Sequence, residues 1–192
     1  MKRIPASALA ASLVLALSAG ASLGAVAYAA PSATKMVGGA AMYPSRTIVD
    51  NAMNSKDHTT LVAAVKQAGL VDTLKGPGPF TVFAPTNEAF GKLPKSAVDG
   101  LMAPEGKAAL TKVLTYHVVS GRYTAERLMS MIKAGGGKAT LTTVEGEPLT
   151  VMQQGSTLWI TDAKGEHAQV TIGDVMQSNG VIHVVDTVLM PS

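Results

Sequence analysis

The hydrophobic pattern of this chain changes period at Gly135-Gly136-Gly137. Upstream, apolar residues recur at helical spacing. In "EGKAALTKVLTYH", Leu110, Val113, Leu114 and His117 fall at i, i+3, i+4 and i+7, one stripe of a helix. "DHTTLVAAVKQAG" places Leu61, Val62, Val65 and Ala68 in the same way, with Asp57 as candidate N-cap and Gly69 as stop. Downstream, "KATLTTV", "EPLTVMQ", "TLWITD", "HAQVTIGDVM" and "GVIHVVDTVLM" alternate with period two between Gly-containing turns. Helices first and strands second predict an α+β domain with an antiparallel sheet, not an alternating βαβ fold. The triple glycine stops the last helix, "TAERLMSMIKA", whose candidate N-cap is Thr124.

The helical half contains two strand signals, of which "VVSGRY" reads as a strand ending in a turn. "PFTVFAPT" sets Phe80 and Val82 on one face, and Pro85 ends it. Thr86 then caps a short helix, "NEAFGKL", with Glu88 in the first turn, where the helix dipole favours an acid. "TIVDNAM" reads as a short helix, and "LVDTLKGPGP" as a turn that leads the chain out.

The start of the chain has a different character. Lys2 and Arg3 precede an Ala- and Leu-rich run, and "AVAYAA" offers a small-x-small cleavage pattern. Residues 1–29 therefore read as a secretory signal peptide cut after Ala29. Ser18, Gly20, Ser22 and Gly24 interrupt the run, which falls short of the about 20 apolar residues of a membrane span. No stable membrane span is expected after cleavage. Residues 30–44 are small, polar and punctuated by Gly and Pro, as in a flexible leader, and residues 45–192 form the domain. The expected location is secreted or periplasmic. The chain has no cysteine, which excludes disulfides, thiolate chemistry and cysteine-linked lipid. Loss of the signal lowers the formal charge from +3 to about +1. The remaining Lys and Arg are scattered, so no nucleic-acid partner is expected.

The histidines are His58, His117, His167 and His183, and none belongs to an H-x-x-x-H or H-E-x-x-H pattern. No metal or cofactor is expected. His58 is read as solvent-facing, and His167 lies at a strand entrance. His183 shares a strand face with Val181 and Val185, the setting of a hydrogen-bonded framework residue. Ser120, His117 and Asp186 make a nominal nucleophile set, but Ser120 lacks a G-x-S-x-G elbow. Phosphate- and dinucleotide-binding motifs are absent as well, so the chain is read as non-enzymatic. The dispersed methionines read as core filler.

Three segments in order, "FTVFAPTNEAF", "LTYHVVSGRY" and "GVIHVVDTVLMP", resemble the two end motifs and the central Tyr-His motif of fasciclin (FAS1) domains. The resemblance covers residues 45–192. It implies a FAS1-like fold, with N-terminal helices packed on an antiparallel β-sandwich or wedge. It also implies no general catalytic activity, and a protein or cell-surface or matrix component as partner in adhesion. Thr81, Phe83, Pro85, Thr86, Asn87 and Phe90 match the first motif as framework residues, and His183 and Asp186 match the last. Tyr116 and His117 match the central motif, which in animal matrix members is associated with integrin contact. Another such segment there reads Glu-Pro-Asp-Ile-Met. Here it reads "IGDVM", where Asp174 and Met176 match and the Glu-Pro pair is lost, which speaks against integrin recognition. On physical grounds Tyr116 buries a ring that needs a hydroxyl partner, and His117 closes a buried stripe, so framework is favoured over contact. A second functional reading, a carrier of an apolar small molecule or lipid in the bacterial envelope, follows from the Met-, Val- and Leu-rich composition.

Overall fold

The computed structural model describes residues 34–192, and the expected signal segment lies outside them. The first element is an antiparallel hairpin of β1 (Lys35–Val37) and β2 (Ala40–Met42). Its turn is Gly38-Gly39, with φ of 57° and 74°, the positive pair that matches strand twist in a two-residue loop. Val37 and Met42 are buried in the core. The expected flexible leader is thus corrected from Lys35 onward: Gly-Gly between apolar residues is a hairpin signal. A side chain at Gly38 would strike Ser55, so this turn also depends on a close approach. Replacing Met42 by alanine should cost at least about 2 kcal/mol of stability. A residue in a loose leader would lose no more than about 0.5 kcal/mol. Urea denaturation distinguishes the two.

Helix α1 (Ile48–Ala52) is capped by Thr47, whose hydroxyl accepts from the Asp50 N–H. A 3₁₀ turn, Lys56–His58, precedes α2 (Thr59–Ala68). This turn puts Asp57 too early to cap α2. The cap comes instead from Asn87, whose Oδ1 accepts from the Thr60 N–H at 3.0 Å while its Nδ2 donates to the Lys56 carbonyl at 2.8 Å. The same turn buries His58, contrary to the solvent-facing expectation. α3 (Val71–Lys75) is helical where a turn was expected, and it buries Leu74.

The chain continues through β3 (Phe80–Pro85), α4 (Asn87–Gly91), α5 (Lys95–Met102), α6 (Lys107–Tyr116), β4 (Val118–Ser120) and α7 (Ala125–Ala134). Thr86 and Thr124 cap α4 and α7 as their sequences predict, and α7 stops at Gly135. Strands β5 (Lys138–Thr142), β6 (Pro148–Gln154), β7 (Thr157–Thr161), β8 (His167–Gln177) and β9 (Gly180–Val185) complete the fold.

The larger sheet has the order β4-β3-β9-β8-β7-β6-β5. All its pairings are antiparallel except β3 with β9, which is parallel. Two strands from the helical half, β3 and β4, therefore join the sheet, which the split of the sequence into halves does not indicate. The two outer strands meet: Val119 bridges Thr143, and the Val144 N–H donates to the Val118 carbonyl at 2.7 Å. The sheet thus curls back on itself as a wedge. Its corner is in β8, where the register shifts between Val170 and Val175 and Asp174 has a φ of 54°.

Two cores result. Val82, Ala84, Ile182 and Val184 face the helices and pack with Leu61, Leu110 and Leu114. Phe83, Val185, Leu149 and Ile160 fill the inside of the wedge with Leu128 and Ile132 of α7. β3 and β9 separate these cores and are buried on both faces, which explains their nearly continuous apolar sequences. β5, β6 and β7 face solvent on one side and alternate.

Candidate functional site

Tyr116 and His117 stand where α6 gives way to β4. Successive residues at this junction point into different cores. Tyr116 packs inside the wedge, while His117 lines a cavity on the helix side with Leu114, Val118 and Val82. The Tyr116 hydroxyl donates to the Pro148 carbonyl at 3.0 Å and accepts from the Ala163 N–H at 2.8 Å. His117 Nε2 accepts from the Leu189 N–H at 3.0 Å, so the proton sits on Nδ1 and is donated to the Val113 carbonyl at 2.8 Å. The Phe83 N–H closes the junction on the His117 carbonyl at 2.9 Å. One dipeptide thereby joins α6 to β3, β6, the β7–β8 turn and the C-terminal segment. Burial pushes the His117 pKa down to about 4, against the opposing effect of the Val113 carbonyl. Burial also pushes the Tyr116 hydroxyl up to about 12.

The three segments that are distant in sequence become the adjacent strands β4, β3 and β9, with their flanks. Thr81 Oγ1 donates to the Gly121 carbonyl at 2.7 Å and accepts from the Tyr123 N–H at 2.9 Å. Phe83 pairs with His183 in register and stacks on it, with ring centroids 5.7 Å apart. His183 Nε2 donates to the Tyr123 carbonyl at 2.7 Å, leaving Nδ1 to face the Asp174 N–H at 3.4 Å. Burial holds the His183 pKa below its ordinary value. Pro85 ends β3 opposite Val185, Thr86 Oγ1 caps α4 at the Ala89 N–H (3.2 Å), and Phe90 is buried beside them. Asp186 accepts from the Gln169 N–H at 2.8 Å and from Lys92 at 3.1 Å. Partial burial raises its pKa, but these donors and Thr187 outweigh that and hold it below the usual carboxylate value.

Asp174 and Met176 are half-buried in β8. Asp174 accepts from the Ala125 N–H at 2.7 Å and so supplies α7 with a second N-terminal acceptor beside Thr124. Its hydrogen bonds run to α7 and His183, not to Tyr116 or His117. Met176 lies opposite Val181. Asp174→Ala should cost about 1–3 kcal/mol, because it loses the cap and keeps a Cβ in the left-handed region. Asp174→Asn should cost clearly less, since Asn keeps an acceptor and tolerates that conformation. Thermal melts of the two variants check this.

The nominal nucleophile set is not assembled. Both His117 ring nitrogens are engaged by backbone groups, which leaves neither for Ser120 or Asp186. Among the described residues, no three His, Asp or Glu side chains are grouped as a metal site needs. No helix among them is long and apolar enough to cross a membrane. The cavity beside His117 is apolar and about 40 Å³ in volume, and residues of α1, α2, α3, β3 and α6 line it.

Several structural polar residues went unrecognised in the sequence. Buried Asp162 accepts from the Lys164 and Glu166 N–H groups at 2.9 Å and from the Met190 N–H at 2.8 Å. Asn179 accepts from the Ile48 N–H at 3.0 Å and donates to the Leu74 carbonyl at 2.7 Å. Both sit in Gly-containing turns, "DAKG" and "SNG", where a turn signal masks a long-range anchor. His58 bonds Ser55 through Nδ1 at 2.8 Å, its Nε2 has no partner among the described residues, and burial lowers its pKa.

The chain is similar to several known proteins. A family profile for the fasciclin domain matches residues 56–191. Protein sll1483 of Synechocystis sp. is 42% identical over 158 residues, covering 81% of this chain and 79% of that protein. Immunogenic protein MPB70 of Mycobacterium bovis is 39% identical over 145 residues, covering 73% of this chain and 66% of the relative. Cell surface glycolipoprotein MPB83 of the same species is 35% identical over 175 residues, covering 88% and 70%. A solved FAS1 domain pair from the insect cell adhesion molecule fasciclin I superposes with a TM-score of 0.69 at 21% identity, covering 76% of this chain and 51% of that one. At that identity it speaks for the fold, in agreement with the wedge and its helices. With the profile spanning most of the domain and relatives this similar, the chain belongs to the fasciclin (FAS1) domain family.

Proposed function

We propose that this protein is an exported, non-catalytic binding module that engages a protein or another component of a cell surface or extracellular matrix. The observation that carries this reading is the commitment of the motif side chains. Thr81, Tyr116, His117 and His183 all spend their polar atoms on buried backbone partners, which leaves recognition to the outer surfaces. Relatives named as immunogenic and cell-surface proteins support a role outside the cytoplasm. Crosslinking in the source organism, followed by capture of the protein, tests the reading. A specific envelope or matrix component should be recovered, and capture of none would contradict it.

Residues 1–29 act as the export signal in this proposal, so the mature chain starts at Ala30. Intact-mass measurement on protein from the source should find that terminus, and a retained Met1 would contradict it. The carrier reading gains little from the cavity beside His117. Its volume of about 40 Å³ is well below the about 150 Å³ of an engineered cavity that accepts benzene. A lipid chain would need α1, α2 and α3 to part. Native mass spectrometry showing a stoichiometric apolar adduct would favour the carrier instead.

A further inference from the structure

The outer face of β5 to β8 carries chemistry that the family motifs do not use. The inward residues of these strands, such as Leu141, Leu149, Val151 and Ile160, belong to the core inside the wedge. α7 packs on that inner side through Leu128 and Ile132. On the outer side, Trp159 is half-buried at the middle of β7 and is the only tryptophan of the chain. It lies directly opposite Met152 on β6 and Gln169 on β8, and Lys138 on β5 extends the row. The adjacent row is Thr140, Thr150, Thr161 and His167, with Thr161 Oγ1 2.9 Å from His167 Nδ1. Between β5 and β8 no carboxylate stands on either row; beyond Gln169 the first one is Asp186, which accepts from the Gln169 N–H at 2.8 Å and is paired with Lys92 at 3.1 Å.

Threonine and glutamine are ordinary on the wet side of an antiparallel sheet. An indole adds to them a large flat apolar surface with a polar N–H at its edge, the amphipathic shape enriched at interfaces. Here it is left partly open among uncharged hydroxyl and amide groups. Strands about 4.8 Å apart make these rows about 14 Å long, enough for several ring-sized units. A pyranose chain needs this combination: an aromatic plane for the C–H face of a sugar ring, and neutral donors and acceptors for its hydroxyls. A polyanion would call for more than one lysine. A peptide adding as a strand would need a free edge, and β4 and β5 close on each other here.

We propose that this face is a platform for a neutral, pyranose-based glycan, with Trp159 stacked on a sugar ring and Gln169, Thr161 and His167 bonding its hydroxyls. This deepens the binding-module reading and rests on it. The test uses the mature chain, in which Trp159 is the sole indole reporter. Cellohexaose, mannohexaose and the N-acetylglucosamine hexamer serve as probes, and affinity electrophoresis in the corresponding polymers as a second readout. At least one probe should change Trp159 emission with a Kd of about 1 mM or tighter. Trp159→Ala should weaken retention at least about tenfold, while Trp159→Tyr retains it. Gln169→Ala, which keeps the reporter, should also weaken binding. Urea midpoints near wild type confirm that the variants fold. No response to any probe, or retention unchanged in Trp159→Ala, overturns the proposal. So does a protein partner captured through this face. If Trp159→Ala still binds source-cell envelopes as wild type does, the glycan platform falls while the binding module stands. If wild type binds no envelope component at all, both fall.

Discussion

Replacing Tyr116 by alanine is expected to remove a large part of the stability of this domain. The ring is fully buried inside the wedge, and truncating a buried aromatic costs about 3–5 kcal/mol through lost transfer energy and the cavity left behind. The substitution also orphans the Ala163 N–H and the Pro148 carbonyl, which the hydroxyl pairs in the native state. Against a typical total of about 5–15 kcal/mol, such a loss is a large fraction of the whole. Tyr116→Phe isolates the second contribution and should cost about 1–3 kcal/mol. Urea denaturation of both variants checks the order. Were Tyr116 mainly a contact residue for a partner, its truncation would impair binding and leave the urea midpoint near wild type.

Mild acid is expected to destabilise the protein well before its carboxylates titrate. His117 ionises near its ordinary 6.5 when unfolded but only at about 4 in the folded state, because burial disfavours the cation. Between those values the unfolded chain binds more protons. The stabilisation is therefore complete above about pH 6.5 and is lost as pH falls toward about 4. At about 1.4 kcal/mol per pH unit, His117 alone accounts for about 3 kcal/mol across that window. His183 and His58 are displaced in the same direction, each mainly by burial, and steepen the loss. The carboxylates act lower. Glu147 is held at about 2 chiefly by the Ser192 N–H and hydroxyl, so its contribution disappears only below the ordinary carboxylate range. Urea midpoints at about pH 7 and about pH 5 should differ clearly. A flat profile between them would show that these histidines are hydrated in the folded protein.

The elements with the strongest periodicity were legible in the sequence. The α6 stripe, the Thr86 and Thr124 caps, the glycine stop after α7 and the five C-terminal strands all follow from spacing and local chemistry. What the sequence concealed depends on long-range partners. Asp57 looks like the α2 cap, yet the cap is Asn87, brought from the start of α4. β3 reads as a strand without an assigned partner, and nothing local says that it inserts parallel to β9. The Gly38-Gly39 hairpin resembles linker in the sequence because its strands have only three residues each. The site was legible to the same extent. Its framework character follows from the position of His117 on the stripe. The split of Tyr116 and His117 between two cores, and the role of Asp174 as an α7 cap, arise only from how the sheet curls.

The central claim is that the Tyr-His pair is an internal junction, with His117 neutral and bonded at both ring nitrogens. Heteronuclear NMR of the histidine rings across a pH titration tests it most directly. The account predicts that His117 is the neutral Nδ1-protonated tautomer and resists protonation down to about pH 4. Titration of His117 near its ordinary 6.5 in the folded protein, with exchange between tautomers, would contradict it.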